Sequence, residues 1–409
     1  MEYYMISANA SHSLDTLLAR RAFEFDHANP ILADLPKETS ETISLAYGDA
    51  DPRLFPIKEL ISSVDGLLSE KRDAVLNYAP VDRELTELVA RRLQKRGVVV
   101  DEQNILITYG SSQILGLLPQ IMLNQGDVVI VEGPTFLGAI EYFVTQGATI
   151  ETIPVGDHGM DIDALADTLQ RLAAHGKQAK FIYTIPTHHN PTGTMMPLAN
   201  RKRLLSLAAT YGVLVLEDDA YGDLDFRGEM AASLLTLPGS EWVLHIGTFS
   251  KILAPGVRMA WAYGPTPVMQ RLRKFQSDQG AGPFITRLVS YIAKDGWLEQ
   301  HINVLNSAYA YKYATMRDAM AQHFPQDVRV STPSGGFFVY GYLPLDMPAR
   351  ALIDVAIAHG VSFLPGTVGY ANGGGTHEMR LAFSFQSEAH IVEGITRLGE
   401  AMRVHRAQG

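Results

Sequence analysis

The sequence contains no cysteine in its 409 residues, which excludes disulfides, zinc–thiolate sites and thiol catalysis. It has no surplus of basic residues either. Its formal net charge is −10, so neither a nucleic-acid nor an anionic-membrane surface is expected, since both call for a basic face. No apolar run is long enough to span a bilayer, and Met1-Glu2-Tyr3-Tyr4-Met5 lacks the basic start and apolar block of a secretory signal. The expectation is a soluble, cytoplasmic protein. Repeats, low-complexity tracts and like-charge blocks are missing. So are a Walker-type loop, a Gly-x-Gly-x-x-Gly after a strand and a Gly-x-Ser-x-Gly elbow, which leaves nucleotide hydrolysis, dinucleotide binding and serine hydrolysis unsupported. What is present is an ordinary globular composition, 46% hydrophobic and 19% charged, in a chain long enough for two domains or a large domain with a lobe.

Leu14, Leu17, Leu18 and Phe23 predict a short amphipathic helix over 11–25. Ile43 opens an apolar stretch that runs into a Gly/Asp/Pro loop ending at Pro56. Helices are expected over 57–71 and 84–96, separated by Leu76-Asn77-Tyr78-Ala79-Pro80, with Gly97 as the second stop. Apolar runs at 104–108, 128–132, 180–185, 213–217, 243–248 and 259–263 then alternate with helical patterns at 112–123, 137–145, 161–174 and 197–211. Runs such as Val213-Leu214-Val215-Leu216 are apolar on both faces, as strands covered by helices must be. This alternation predicts an α/β domain with a mostly parallel sheet. Beyond Phe284 the pattern changes. Helices over 287–294 and 298–323 precede strands at 335–342, 361–364 and 379–384 and helices over 349–358 and 388–403. Residues 61–290 are thus expected to form the large domain and 291–409 a smaller α+β domain that 1–60 joins.

In α/β sheets ligands gather beyond the carboxyl ends of the strands, and here the residues following each apolar run carry distinctive chemistry. Gly110-Ser111-Ser112-Gln113 offers a glycine turn, hydroxyls and free helix-start amides, a seat for phosphate. Phe136, after Glu132-Gly133-Pro134-Thr135, can stack on a flat ring. Asn190, in Thr187-His188-His189-Asn190-Pro191-Thr192-Gly193, can donate to a ring oxygen. The adjacent histidines lack a third ligand or HExxH spacing, so no metal site is expected. Glu217-Asp218-Asp219-Ala220-Tyr221 provides a carboxylate for a protonated pyridine nitrogen and a phenol for a ring oxygen. Gly247-Thr248-Phe249-Ser250-Lys251, followed by Pro255-Gly256-Val257-Arg258, supplies hydroxyls and an arginine for phosphate beside a sheltered amine able to form a Schiff base. Each motif alone has a bland explanation, as an N-cap, a core aromatic or a solvated loop. Together they indicate pyridoxal phosphate.

These residues resemble fold-type I pyridoxal-phosphate enzymes of the class I/II aminotransferases, in the branch of 2-aminoadipate, kynurenine and broad-specificity aminotransferases. The likeness runs from Ile43 to about Leu398 and is most specific at Asn190-Pro191-Thr192-Gly193, Asp218-Asp219-Ala220-Tyr221, Thr248-Phe249-Ser250-Lys251 with Arg258, and Asn372-Gly373-Gly374-Gly375 leading to Met379-Arg380-Leu381. The resemblance implies a seven-stranded, mostly parallel sheet in the large domain. It makes Lys251 the Schiff-base lysine and proton carrier, with Asp218 on the ring nitrogen, Asn190 and Tyr221 on the ring hydroxyl and Phe136 on the ring face. Ser111, Ser112, Thr248, Ser250 and Arg258 would surround the phosphate, and Tyr78 would reach the neighbouring subunit's phosphate in a homodimer with shared sites. Arg380 would take the substrate carboxylate, and Gly48 and Tyr47 lie in the loop closing over the substrate. The expected reaction is amino transfer between an L-amino acid and a 2-oxo acid such as 2-oxoglutarate, in amino-acid metabolism or biosynthesis.

Three stretches depart from the family pattern. Tyr47-Gly48-Asp49-Ala50 stands where the family usually has Gly-Gly-x-Pro, Arg83 replaces a usual glycine, and His188-His189 precede Asn190. They keep open an alternative in which the same cofactor is diverted to β- or γ-elimination, replacement, cyclisation or oxidation, with Tyr47, Asp49 or His188 as the extra acid or base. A third reading, a ligand-sensing regulator, would call for a basic DNA-binding segment that this acidic N-terminus does not resemble.

Overall fold

The computed structural model describes residues 17–18, 38–228, 230–276 and 280–408; apart from residues 17–18, the helix expected over 11–25 lies outside them. Strand β1 (Ile43–Ser44) leads into an irregular loop. Helix α1 (Ile57–Leu76) breaks at Lys71 (φ −131°, ψ 27°), where the sequence periodicity stops, and resumes to Leu76. Helix α2 (Arg83–Lys95) turns Leu85, Leu88, Val89 and Leu93 inward. Just beyond its end, Gly97 sits at φ 87°, a conformation that glycine adopts without a Cβ clash.

The strand–helix alternation follows as β2 (Ile105–Thr108), α3 (Ser111–Met122), β3 (Val128–Gly133), α4 (Leu137–Thr145), β4 (Thr149–Gly156), β5 (Gly159–Met160), α5 (Ile162–Ala174), β6 (Ala179–Thr184), α6 (Leu198–Tyr211), β7 (Leu214–Asp218), β8 (Val243–Thr248), β9 (Ala260–Tyr263) and α7 (Thr266–Phe275). The strands form an eight-stranded sheet in the order β2-β9-β8-β7-β6-β3-β4-β5. Strands β4, β3, β6, β7 and β8 pair in parallel, β9 runs antiparallel between β8 and β2, and β5 turns back on β4. The sheet is therefore mostly parallel, and the two-residue β5 is added to the seven strands expected. Strand β4 escapes a sequence reading because most of its residues are exposed or half-buried, so it lacks the continuous apolar run that marks its neighbours. Val129, Val131, Phe181, Leu214 and Leu216 bury one face of the sheet, and Ile130, Ile182 and Val215 bury the other. Each such side chain contributes about 1.5–3 kcal/mol of burial.

The remaining chain comprises α8 (Pro283–Ile292), the long α9 (Trp297–His323), β10 (Arg329–Val330), β11 (Phe338–Tyr342), α10 (Ala349–Ala358), β12 (Val361–Ser362), β13 (Leu364–Pro365), β14 (Glu378–Ala382) and α11 (Glu388–Gln408). It builds a second sheet, β10-β11-β14-β13. Strand β1 pairs in parallel with β12, and Ala382 N–H donates to Leu45 O at 2.8 Å. These contacts bring the loop after β1 from the far end of the sequence to the carboxyl edge of the large sheet.

Candidate active site

The parallel register aligns the ends of β6, β7 and β8, since Thr184 pairs with Glu217 and Asp218 with Ile246. Where the chain leaves these strands, and at the ends of β2 and β3, it encloses a cavity of about 190 Å³. Ser111, Ser112, Phe136, Asn190, Asp218, Tyr221, Thr248, Ser250, Lys251 and Arg258 all line it. Helix α3 starts there at Ser111 with no side chain among the described residues capping its first amides, which makes them and the helix dipole a seat for an anion. Arg258 adopts a left-handed backbone (φ 48°, ψ 47°), and its guanidinium lies against Gly110. A Cβ at Gly110 would come within 2.5 Å of Arg258 Nη2, so the glycine is required for this close approach. Thr248 Oγ1 and Ser250 Oγ lie 3.0 Å apart on the same wall.

Burial sets the electrostatics. The Lys251 amine donates to Gly48 O at 3.0 Å. Removal from water lowers its pKa to about 8, against an opposing pull from Asp49 and with support from Arg380 and Arg258. Asp218 Oδ2 accepts from Tyr183 Oη at 2.7 Å, whereas Asp218 Oδ1 is buried without a partner among the described residues. Burial pushes the Asp218 carboxyl up to about 6, the Tyr183 hydrogen bond works against this, and neighbouring Asp219 adds to it. Asp219 is itself paired with Arg96, so this carboxylate pair is buried in the protein and not at a solvated loop start.

A second cavity, about 180 Å³, adjoins the first and shares Phe136 with it. Tyr47, Leu137, Pro191, Tyr340, Leu364, Val368 and Arg380 line it. Arg380 donates to Asn190 Oδ1 at 3.0 Å and to Ala46 O at 2.5 Å, and its guanidinium lies 4.4 Å over the ring of Phe338. Burial lowers its pKa to about 10, so it remains charged at neutral pH. Gly48 packs where any Cβ would run into the Phe338 ring. Tyr78 lies apart from both cavities and is 97% exposed. The two histidines before Asn190 serve separate neighbours: His189 lies 3.1 Å from Glu132 and 2.9 Å from Thr192 Oγ1, and His188 3.5 Å from Asp225.

The family model for aminotransferase class I and II matches residues 43–398. The chain belongs to this family. It is similar to aromatic-amino-acid aminotransferase 1 of Thermococcus litoralis, at 34% identity over 90% of this chain and 89% of that protein. Among solved structures, the multiple substrate aminotransferase of Thermococcus profundus superimposes with a TM-score of 0.91, at 31% identity over 97% of this chain and 100% of that one. The α-aminoadipate aminotransferase LysN of Thermus thermophilus, complexed with N-(5'-phosphopyridoxyl)-L-leucine, has a TM-score of 0.87 and 32% identity over 97% and 100% of the two chains. The protein is thus a pyridoxal-phosphate-dependent aminotransferase of fold type I.

The aminotransferase's first cavity suits that cofactor on its own geometry. The orphaned Asp218 Oδ1 lacks the donor that a protonated pyridine nitrogen supplies. The Gly110–Arg258 contact, the hydroxyls and the start of α3 form an anion cradle. Tyr183 is missing from the sequence-based site although it holds the other Asp218 oxygen. The available signal is a tyrosine in the buried part of a largely apolar strand, whose hydroxyl must find a partner.

A pH dependence follows from Asp218. In the cofactor-free aminotransferase the folded state keeps this proton up to about pH 6, whereas an unfolded aspartate loses it near pH 4. Folded stability from this group is present below about pH 4 and is lost as pH rises through 6, an effect of about 3 kcal/mol. Thermal melts of the cofactor-free protein between pH 4 and 7 are expected to show this decline, and Asp218→Asn to flatten it.

Proposed function

We propose that this aminotransferase takes the amino group from an L-amino acid with an aromatic or bulky aliphatic side chain and delivers it to a 2-oxo acid, with Lys251 holding the cofactor covalently and carrying the proton at the substrate α-carbon. The observation that carries this reading is the convergence of Lys251, the unpaired Asp218 oxygen, the start of α3 and Arg380 on two adjoining cavities. Bound pyridoxal phosphate supplies the electron sink that makes the α-proton acidic.

The other roles follow from position. Asp218, braced by Tyr183, would hold the ring nitrogen. With Asn190 Oδ1 taken by Arg380, its amide hydrogens remain for the ring hydroxyl, beside Tyr221. Phe136 would cover the ring face, and Ser111, Ser112, Thr248, Ser250 and Arg258 would hold the phosphate. The lowered pKa of Lys251 keeps a useful fraction of neutral amine near pH 7 to 8 for proton transfer, and Gly48 O restrains that amine. Arg380 presents its guanidinium fork to the substrate α-carboxylate, and Tyr47 closes the mouth of the side-chain cavity.

The side-chain preference rests on the walls of the second cavity, where rings and aliphatic groups predominate. Behind Tyr340 stands the Glu378 carboxylate, accepting from Tyr340 and Tyr370 at 2.8 Å each, and it disfavours an acidic side chain. The aromatic substrate in the name of the Thermococcus litoralis relative agrees with this choice, and LysN, although named for the acidic α-aminoadipate, is seen with a leucine adduct. We also propose a homodimer. Tyr78, Leu76, Ile61 and Val99 are all largely exposed, a display of apolar surface that a partner subunit would cover, and Tyr78 would reach the partner's phosphate.

Mixing the loaded enzyme with one amino acid and no acceptor tests the function. A stoichiometric amount of 2-oxo acid is expected from leucine, phenylalanine or tyrosine, with kcat/KM about tenfold or more above that for glutamate or 2-aminoadipate. A preference for the acidic substrates would overturn the side-chain assignment. Elimination products with no oxo acid of the parent skeleton would overturn amino transfer.

A further inference from the structure

The loop after β1 meets both key side chains through its backbone, Ala46 O accepting from Arg380 and Gly48 O from Lys251. Its own position is set from the far side by a charge buried in α9. Lys312 is 1% exposed and Asp51 2%. An ammonium has three hydrogens to donate, and Lys312 Nζ has three acceptors: Asp51 Oδ2 at 2.6 Å, Ser384 O at 2.6 Å and Gln386 O at 2.7 Å. Asp51 is gripped again by Arg53, Nε to Oδ1 at 2.8 Å and Nη2 to Oδ2 at 2.6 Å, and its N–H donates to Tyr309 Oη at 3.4 Å. The 384–386 segment reaches back to the loop and to β1: Ser384 Oγ donates to Asp49 O at 2.6 Å and Gln386 Nε2 to Ser44 O at 3.0 Å.

Stability does not account for this arrangement, because a buried ion pair is often matched or surpassed by apolar residues of the same volume. Direction does account for it. Apolar packing is less directional, whereas the Lys312 ammonium ties the Asp51 carboxylate to the Ser384 and Gln386 carbonyls through one directed bond to each, and Asp51 is five residues from Ala46 and three from Gly48. We propose that Lys312 is a positioning residue of the aminotransferase: with Asp51 and Ser384 it staples the 46–51 loop so that Ala46 O holds the Arg380 guanidinium in register for the substrate carboxylate. This rests on the reading of Arg380 given above.

The test uses the cofactor-loaded enzyme and two readouts, the KM and kcat of a preferred amino acid, and the Kd of 3-phenylpropionate, a carboxylate without an amino group. Asp51→Asn and Lys312→Met are expected to raise KM and Kd about tenfold while kcat stays within about threefold. Ser384→Ala, a gentler change that removes the bond to Asp49 O, is expected to move both constants in the same direction by a smaller factor and serves where Lys312→Met fails to fold. Folded variants with a lowered Tm but KM and Kd within twofold of the parent would show that the staple is merely structural and overturn the proposal. Arg380→Ala is the control. If it weakens 3-phenylpropionate binding and the staple variants do not, only the staple falls; if Arg380→Ala leaves binding unchanged, the site reading falls and the staple's role with it.

Discussion

Lys251→Ala is expected to reduce turnover by about 10⁴-fold or more, because it removes both the covalent anchor and the proton carrier in a single change. The visible absorbance of the cofactor-loaded protein should disappear with it, and borohydride followed by peptide mapping should label the parent at residue 251 and leave the variant unlabelled. The fold should survive. The amine's hydrogen bond in the structure runs to Gly48 O at 3.0 Å, and the side chain, sheltered as it is, lies on the cavity wall, so truncation enlarges a space that already exists. Lys251→Arg separates the two roles: it keeps a positive charge in place but cannot become a neutral amine near pH 8, so it is expected to be as inactive as the alanine variant. Full activity or an unchanged spectrum in either variant would refute the assignment.

Arg380→Ala should cost about 10²-fold or more in kcat/KM, since removing one partner of a buried, charge-assisted contact leaves the other charge unpaired and costs about 2–5 kcal/mol. The loss should fall mainly on KM, and carboxylate inhibitors should weaken in parallel. The same truncation removes the donors to Asn190 Oδ1 and Ala46 O, so a lowered Tm is expected as well. Arg380→Lys keeps the charge but not the two-pronged geometry, and its KM should lie between those of the parent and the alanine variant. An unchanged KM for the amino acid in Arg380→Ala would remove this residue from carboxylate recognition.

The gathering of polar residues at the strand ends was legible in the sequence because strand-to-helix junctions are local. An apolar run stops, a turn residue follows, and whatever stands next is held at the carboxyl edge of the sheet. Gly110-Ser111-Ser112, Asp218 to Tyr221 and Thr248 to Lys251 are such junctions, and all line one cavity. The helices and strands around them announced themselves by periodicities of a few residues, and the family's motif order added Arg380, far along the chain, to the same site. Strand β4 shows the limit of that reading: half in solvent, it carries no apolar signature.

Tertiary structure alone decided which distant groups meet. The Asp218–Tyr183 bond, the approach of Gly48 O to Lys251 across 203 positions, the Glu378 carboxylate behind Tyr340 and the Lys312–Asp51 staple have no spacing that marks them. A buried polar group requires a partner but does not say where in the chain that partner stands. Sequence periodicity records which face of an element is apolar, so it determined the sheet, its covering helices and the residue types at its edge. The pairing of charges and carbonyls across that edge depends on how β1 docks beside β12 and how α9 crosses behind the loop, and only the folded chain sets those positions.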